Sequence, residues 1–247
     1  MVHKISQLLL LSKNDIPFVE AEVVIHQPTL KEIALIGESA FFLGCQLLNF
    51  SRGLLNLSEE EMEQVKDVSD FELFLSFMTN GEKTEYKNYI YMVLTLLFPA
   101  YQISLEKDNI QLTNIKTQEI KSIDKKNFSA FKEILVLMFE IDTKETQNYN
   151  PIGKKANKIA EKLRKAKQKT GDEEKQEINV FSRYVSILAV GLKKDMNSLM
   201  EYTVFQIKDE FKRFQLKSSF DMYVQAKMAG AKDMDEADNW MDNIHLL

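Results

Sequence analysis

The sequence contains a single cysteine. Cys45 therefore has no partner for an internal disulfide, which suits a reducing compartment or indifference to redox. Histidine is nearly as scarce. His3, His26 and His245 are scattered, and none stands at metal-ligand spacing from another, so no zinc site is expected. Cys45 lies in "AFFLGCQLLNF" with no basic residue close by, and it reads as a small buried hydrophobe rather than a reactive thiol.

Long hydrophobic runs are also missing. The most apolar stretch, "YIYMVLTLLF" from Tyr89 to Phe98, is about half the roughly 20 residues that a membrane-crossing helix requires. The start, "MVHKISQLLLLSKND", has a short apolar stretch but no small-residue cleavage site, so no signal peptide is read. These absences point to a cytoplasmic protein. An excess of positive charge is lacking too. The net charge is -5 and the pI about 5.4. A dedicated nucleic-acid binder draws most of its affinity from phosphate neutralisation and is usually basic. With 247 residues, 45% of them hydrophobic, the chain can build a real core as one large domain or two small ones.

Catalytic signatures are absent as well. "NPIGKKA" has Gly-Lys, but it lacks the earlier glycine and the following Ser or Thr of a phosphate-cradling loop. Neither G-x-G-x-x-G nor G-x-S-x-G occurs, and no two carboxylates are paired in an apolar setting. His26 in "VVIHQPTL" sits at a strand-to-helix junction. It reads as a hydrogen-bonded turn residue, with a catalytic role as the alternative. The expectation is a non-enzymatic protein with no catalytic residue, no cofactor and no metal.

What the sequence does contain is helical periodicity. Ile5–Leu11 and Ala21–Ile25 flank "SKNDIPF" and predict a first β-hairpin. Three capping boxes follow: Thr29 with Glu32, Ser58 with Glu61, and Ser69 with Glu72. Glu82 to Leu97 predicts a long apolar helix at the centre of the core, ended by Pro99. Ile103, Leu105, Ile110 and Leu112 alternate around "KDN" and predict a second hairpin. Phe128, Phe131, Ile134, Leu135 and Met138 mark an amphipathic helix from Lys126 to Phe139. The predicted fold is mainly α with minor β: a helical core with two small hairpins in the N-terminal half and an all-helical C-terminal region. The predicted division is a mixed domain over 1–142, a polar linker with a basic helix over 143–178, and a helical domain with an acidic tail over 179–247.

Lys154, Lys155, Lys158, Lys162, Arg164, Lys165, Lys167 and Lys169 stand against one acid, Glu161, beside a thin stripe of Ala, Ile and Leu. Three readings compete: a solvated helix, a docking surface for an acidic protein, and a nucleic-acid contact. No aromatic residue interleaves with the lysines, so single strands would find no stacking platform. "LAVGLKKDMNSLMEYTVFQIKDEF" has the outline of a helix-turn-helix around Gly191. Yet the residue six further on is the polar Asn197, and Thr203 with Gln206 opens a fresh capping box. The pattern is that of a helical bundle rather than a DNA reader. Near the end, Gly230 should stop a helix. Asp233 and Glu236 should then start a short acidic one carrying Trp240, a candidate docking element. Its target is the chain's own basic helix, a second copy or an external partner; the alternative is a tail folded onto its own core. Met222, Met228, Met234 and Met241 either form an adaptable binding surface or fill a helical core.

"IHQPTLKEIALIGESAFF", "RYVSILAVGLKKDMNSLMEYTVFQIKDEFKRF" and "YVQAKMAGAKDMDEADNWMDNIH" occur in that order. Together they resemble tail assembly chaperones and related tail proteins of long-tailed phages and prophages of Gram-positive bacteria. The resemblance covers the N-terminal and C-terminal thirds. It implies a non-enzymatic protein of the host cytoplasm that binds the phage tape measure protein, a long helical chain prone to aggregate before tail tube subunits polymerise around it. The partner-binding candidates are Lys154, Lys155, Lys158, Lys162, Arg164, Lys165 and Trp240, with self-association also open. The alternatives are a structural tail or virion component, and a DNA-associated regulator.

Overall fold

The structure, a computed structural model, describes residues 5–50, 66, 68–80, 84–141, 179–231 and 237–241. The expected capping box at Ser58 and Glu61 lies outside them, as does the whole 143–178 segment.

Ile5–Leu11 does not form a strand. Ser6 accepts a hydrogen bond from the Leu9 N–H and starts a short helix, α1 (Gln7–Leu11), which turns Leu10 into the core. The local serine cap satisfies backbone groups that a strand would have to pair elsewhere. The first hairpin instead uses the segment expected to be the turn. Strand β1 (Ile16–Phe18) pairs antiparallel with β2 (Val23–Ile25), with Ile16 opposite Ile25. A 3-10 turn over Val19–Ala21 joins them and closes through Glu22 at φ 54°. Gln27 pins the chain before β1: its buried amide lies 3.1, 3.0 and 2.7 Å from the carbonyls of Leu9, Ser12 and Asn14.

Thr29 caps α2 (Leu30–Ile36) with the full predicted box, the Thr29 N–H donating to Glu32 Oε2 at 2.7 Å. Gly37 (φ 86°) breaks the path, and α3 (Glu38–Leu48) leaves in a new direction. Ser69 and Glu72 cap α4 (Asp70–Asn80) as expected. Helix α5 (Thr84–Leu97) buries Ile90, Val93, Leu94 and Leu97 completely and lies at the centre of the core. It crosses α3 so closely that a Cβ on Gly44 would stand 2.5 Å from Val93 Cγ2 and 2.6 Å from the Tyr89 carbonyl oxygen.

The second hairpin is really a three-stranded meander: β3 (Tyr101–Leu105), β4 (Asn109–Asn114) and β5 (Ile120–Asp124). Ile110, Leu112 and Ile123 point into the core. Strand β5 buries only Ile123; its other isoleucine, Ile120, stands three positions away and is exposed, so the strand shows no alternation in sequence. Helix α6 (Phe128–Phe139) buries every residue of its predicted stripe, and Phe131 stacks between Phe18 at 5.9 Å and Phe98 at 6.0 Å.

Three more helices follow among the described residues: α7 (Val180–Leu192), α8 (Met196–Met200) and α9 (Val204–Met228). They pack on the N-terminal elements through one continuous core that takes in Phe181, Leu188, Leu199, Phe205, Ile207 and Phe211. Polar clasps reinforce the join. The Glu38 carboxylate accepts from the N–H groups of Phe181 (2.9 Å) and Ser182 (2.8 Å), so a residue of α3 caps the N-terminus of α7. The Leu30 N–H donates to the Tyr202 carbonyl at 2.9 Å, and Lys208 donates to the carbonyl of Phe139, the last residue of α6, and to that of its C-cap, Glu140. The fold is mainly α with two small antiparallel sheets.

Candidate partner-binding surface

Among the described residues, no three His, Cys, Asp or Glu side chains converge as a metal site. Cys45 is fully buried on α3, and burial pushes its thiol well above the ordinary value. His26 sits between two carboxylates, with Nδ1 2.9 Å from Asp15 and Nε2 3.3 Å from Glu32. Its backbone N–H donates to the Leu97 carbonyl. The histidine therefore ties the loop before β1, the start of α2 and the end of α5 together, as a hydrogen-bonded junction residue would. The nearby Thr29 hydroxyl donates to Glu32 at 2.8 Å within the capping box.

The helix-turn-helix outline resolves differently from its appearance in sequence. Gly191 lies inside α7 and makes no turn. A Cβ there would run into the ring of Phe214, so this glycine lets α9 approach α7. The turn is made by Lys193 at φ 53°. The helix after it, α8, has five residues and buries Leu199. A major-groove reader presents several side chains along one exposed helix, and α8 offers no such length.

An open groove of about 390 Å³ is lined by Ile36, Asn88, Tyr91, Met92, Thr95 and Leu96. Small-molecule sites usually enclose most of their ligand, and this groove is too open for that.

The more distinctive surface is on α9. Its first half is anchored by buried Val204, Phe205, Ile207 and Phe211, with Phe211 stacked on Tyr184 at 4.0 Å. Beyond Phe214 no residue of the helix is buried. Yet the second half is far from polar. Leu216, Phe220, Val224 and Met228 recur every four residues and form a stripe along one side. Leu216 and Phe220 are half-buried, whereas Val224 is 37% exposed and Met228 85% exposed, so exposure grows toward the tip. Met222, on another face, is 56% exposed. These methionines therefore do not fill the core. Tyr223 flanks the stripe, with the Lys227 ammonium 5.5 Å from its ring centre.

Helix α9 ends at Met228, and Gly230 follows at φ 93°, as expected of a helix-stopping glycine. Of the acidic segment beyond, 237–241 are described. Trp240 is half-buried and lies with Met241 in a turn rather than a helix, because the Asn239 side chain accepts from the Met241 N–H at 3.1 Å. The Trp240 carbonyl accepts from Arg213 Nη1 at 3.2 Å. The other candidates, Lys154, Lys155, Lys158, Lys162, Arg164 and Lys165, lie outside the described residues.

Residues 172–245 match the family model of the YomV second domain, known from a Bacillus prophage. This part of the chain is similar to a phage-associated domain. The match takes in α7, α8, α9 and Trp240, and so contains the exposed stripe. No curated protein and no solved structure matches the chain.

Proposed function

We propose that this protein is a non-enzymatic phage tail assembly chaperone that holds the tape measure protein before the tail tube forms. The observation that carries the proposal is the apolar stripe of α9, which projects from a rigid core within the phage-associated region. A long helical client presents amphipathic segments, and an exposed helix stripe ending in methionine can pack against them. Unbranched, polarisable methionine adapts to varied partners, which suits a chaperone that must accept successive stretches of one chain. The resemblance of the N-terminal and C-terminal strings to tail chaperones supports the same reading.

The test is co-expression with the tape measure protein of the same phage genome. The chaperone reading expects the client to be soluble and to co-purify with this chain. It expects the double variant Val224→Asp, Met228→Asp to lose the client while melting within a few degrees of the parent. Equal client solubility with and without this chain would refute it. Mass spectrometry of purified virions separates the structural alternative: a chaperone is absent from the particle, whereas a tail component is present in fixed stoichiometry.

A further inference from the structure

The position of Trp240 is informative about what α9 does when no client is bound. Arg213 is on the same side of the helix as the stripe, three residues before Leu216 and seven before Phe220. From Arg213 the helix runs on for about 22 Å to Met228 at 1.5 Å per residue. The Trp240 carbonyl nevertheless lies 3.2 Å from Arg213, so Trp240 sits beside the base of the stripe and not beyond its tip. Arg213 is itself held by Asp209, a largely buried carboxylate 3.4 Å from its Nε, which fixes the guanidinium against the bundle. The gradient along the stripe agrees with this placement. The residues nearest the anchor, Leu216 and Phe220, are half-buried, and the tip residue Met228 is open.

We infer that residues 237–241 form an intramolecular strap, anchored by Arg213 at the base of the α9 stripe, that a client helix must displace to bind along the full stripe. The inference rests on the proposed client-binding role of α9 and adds its regulation. A strap docked about nine-tenths of the time weakens apparent client affinity about tenfold, because only the open fraction is competent. Such a device favours long clients over short apolar helices, since only a partner contacting the whole stripe recovers the cost of opening it.

Trp240 is the only tryptophan in the chain, so its fluorescence reports the strap directly. Acrylamide quenching of the full-length protein should be weaker than that of the urea-unfolded chain. Synthetic peptides copying helical segments of the tape measure protein should raise it toward the unfolded value. A chain ending at residue 236, which leaves Arg213 and Asp209 intact, should bind the same peptides about tenfold more tightly. It should also bind about twice as much anilinonaphthalene sulfonate, a dye that reports exposed apolar surface. Quenching of the native chain equal to that of the unfolded chain would overturn the inference. So would unchanged or weakened peptide affinity after truncation, since the tail would then be a spectator or part of the client surface. If neither chain binds peptide, the client reading of α9 falls. The quenching and dye measurements still decide the strap in that case.

Discussion

Gly44→Ala tests whether α3 and α5 are packed at the limit of backbone approach. On an ordinary helix this change is favourable, by roughly 0.5–1 kcal/mol, because alanine restricts the unfolded chain. Here the added methyl would stand 2.5 Å from Val93 Cγ2 and 2.6 Å from the Tyr89 carbonyl oxygen, well inside contact distance. Val93 is completely buried, and the Tyr89 carbonyl is part of the α5 backbone, so neither gives way cheaply. Overpacking of this kind costs about 1–3 kcal/mol, and the backbone contact places it in the upper part of that range. The two effects leave a net loss of about 2 kcal/mol. For a domain of this size that is a fall in melting temperature of roughly 4–8 °C, read by circular dichroism. In a Val93→Ala background the clash with the side chain is gone but the carbonyl stays, so Gly44→Ala should still cost about 1 kcal/mol or more. A Gly44→Ala protein at least as stable as the parent would refute the close-packing argument. A cost that vanishes in the Val93→Ala background would refute the role given to the carbonyl.

Phe131→Ala removes the ring stacked between Phe18 and Phe98 and should cost about 3–5 kcal/mol in urea unfolding; a loss below about 1 kcal/mol would mean that the buried face of α6 is wrongly assigned. Glu38→Ala uncaps α7 and should cost about 1–2 kcal/mol, with amide exchange of Phe181 and Ser182 accelerating first; uniform acceleration would argue against a local capping role. The Ser69 hydroxyl and N–H, and then Lys125, hold the Glu72 carboxyl at about 2. A carboxylate depressed in the fold stabilises it above the ordinary value and loses that contribution as the pH falls toward the depressed one. The start of α4 should therefore loosen in acid between about 4.5 and about 2. Ser69→Ala should raise the Glu72 midpoint in a carboxyl-carbon NMR titration, and an unmoved midpoint would remove the cap as the cause.

Local chemistry alone determined much of this protein. The boxes at Thr29, Ser69 and Thr203 start helices where their spacing says they should, because a side chain three residues away satisfies the orphan N–H groups without help from the rest of the chain. The stripes of α5 and α6 were equally legible, since a strong 3.6-residue period has one way to be buried. Where local signals were balanced, the tertiary structure decided. Ile5–Leu11 could pair as a strand or coil as a helix; its Ser6 cap is local, and burial of Leu10 in the core with the Gln27 amide on the Leu9 and Ser12 carbonyls settled it. Strand β5 has too few apolar residues to announce itself and exists because β4 offers it a backbone edge. Gly191 looked like a turn residue, but its lack of a side chain serves Phe214, 23 positions away in sequence and adjacent only in space. The α9 stripe was visible as periodicity. Which part of it stays uncovered depends on where the bundle ends and where Arg213 meets Trp240, and only the folded chain brings those groups together.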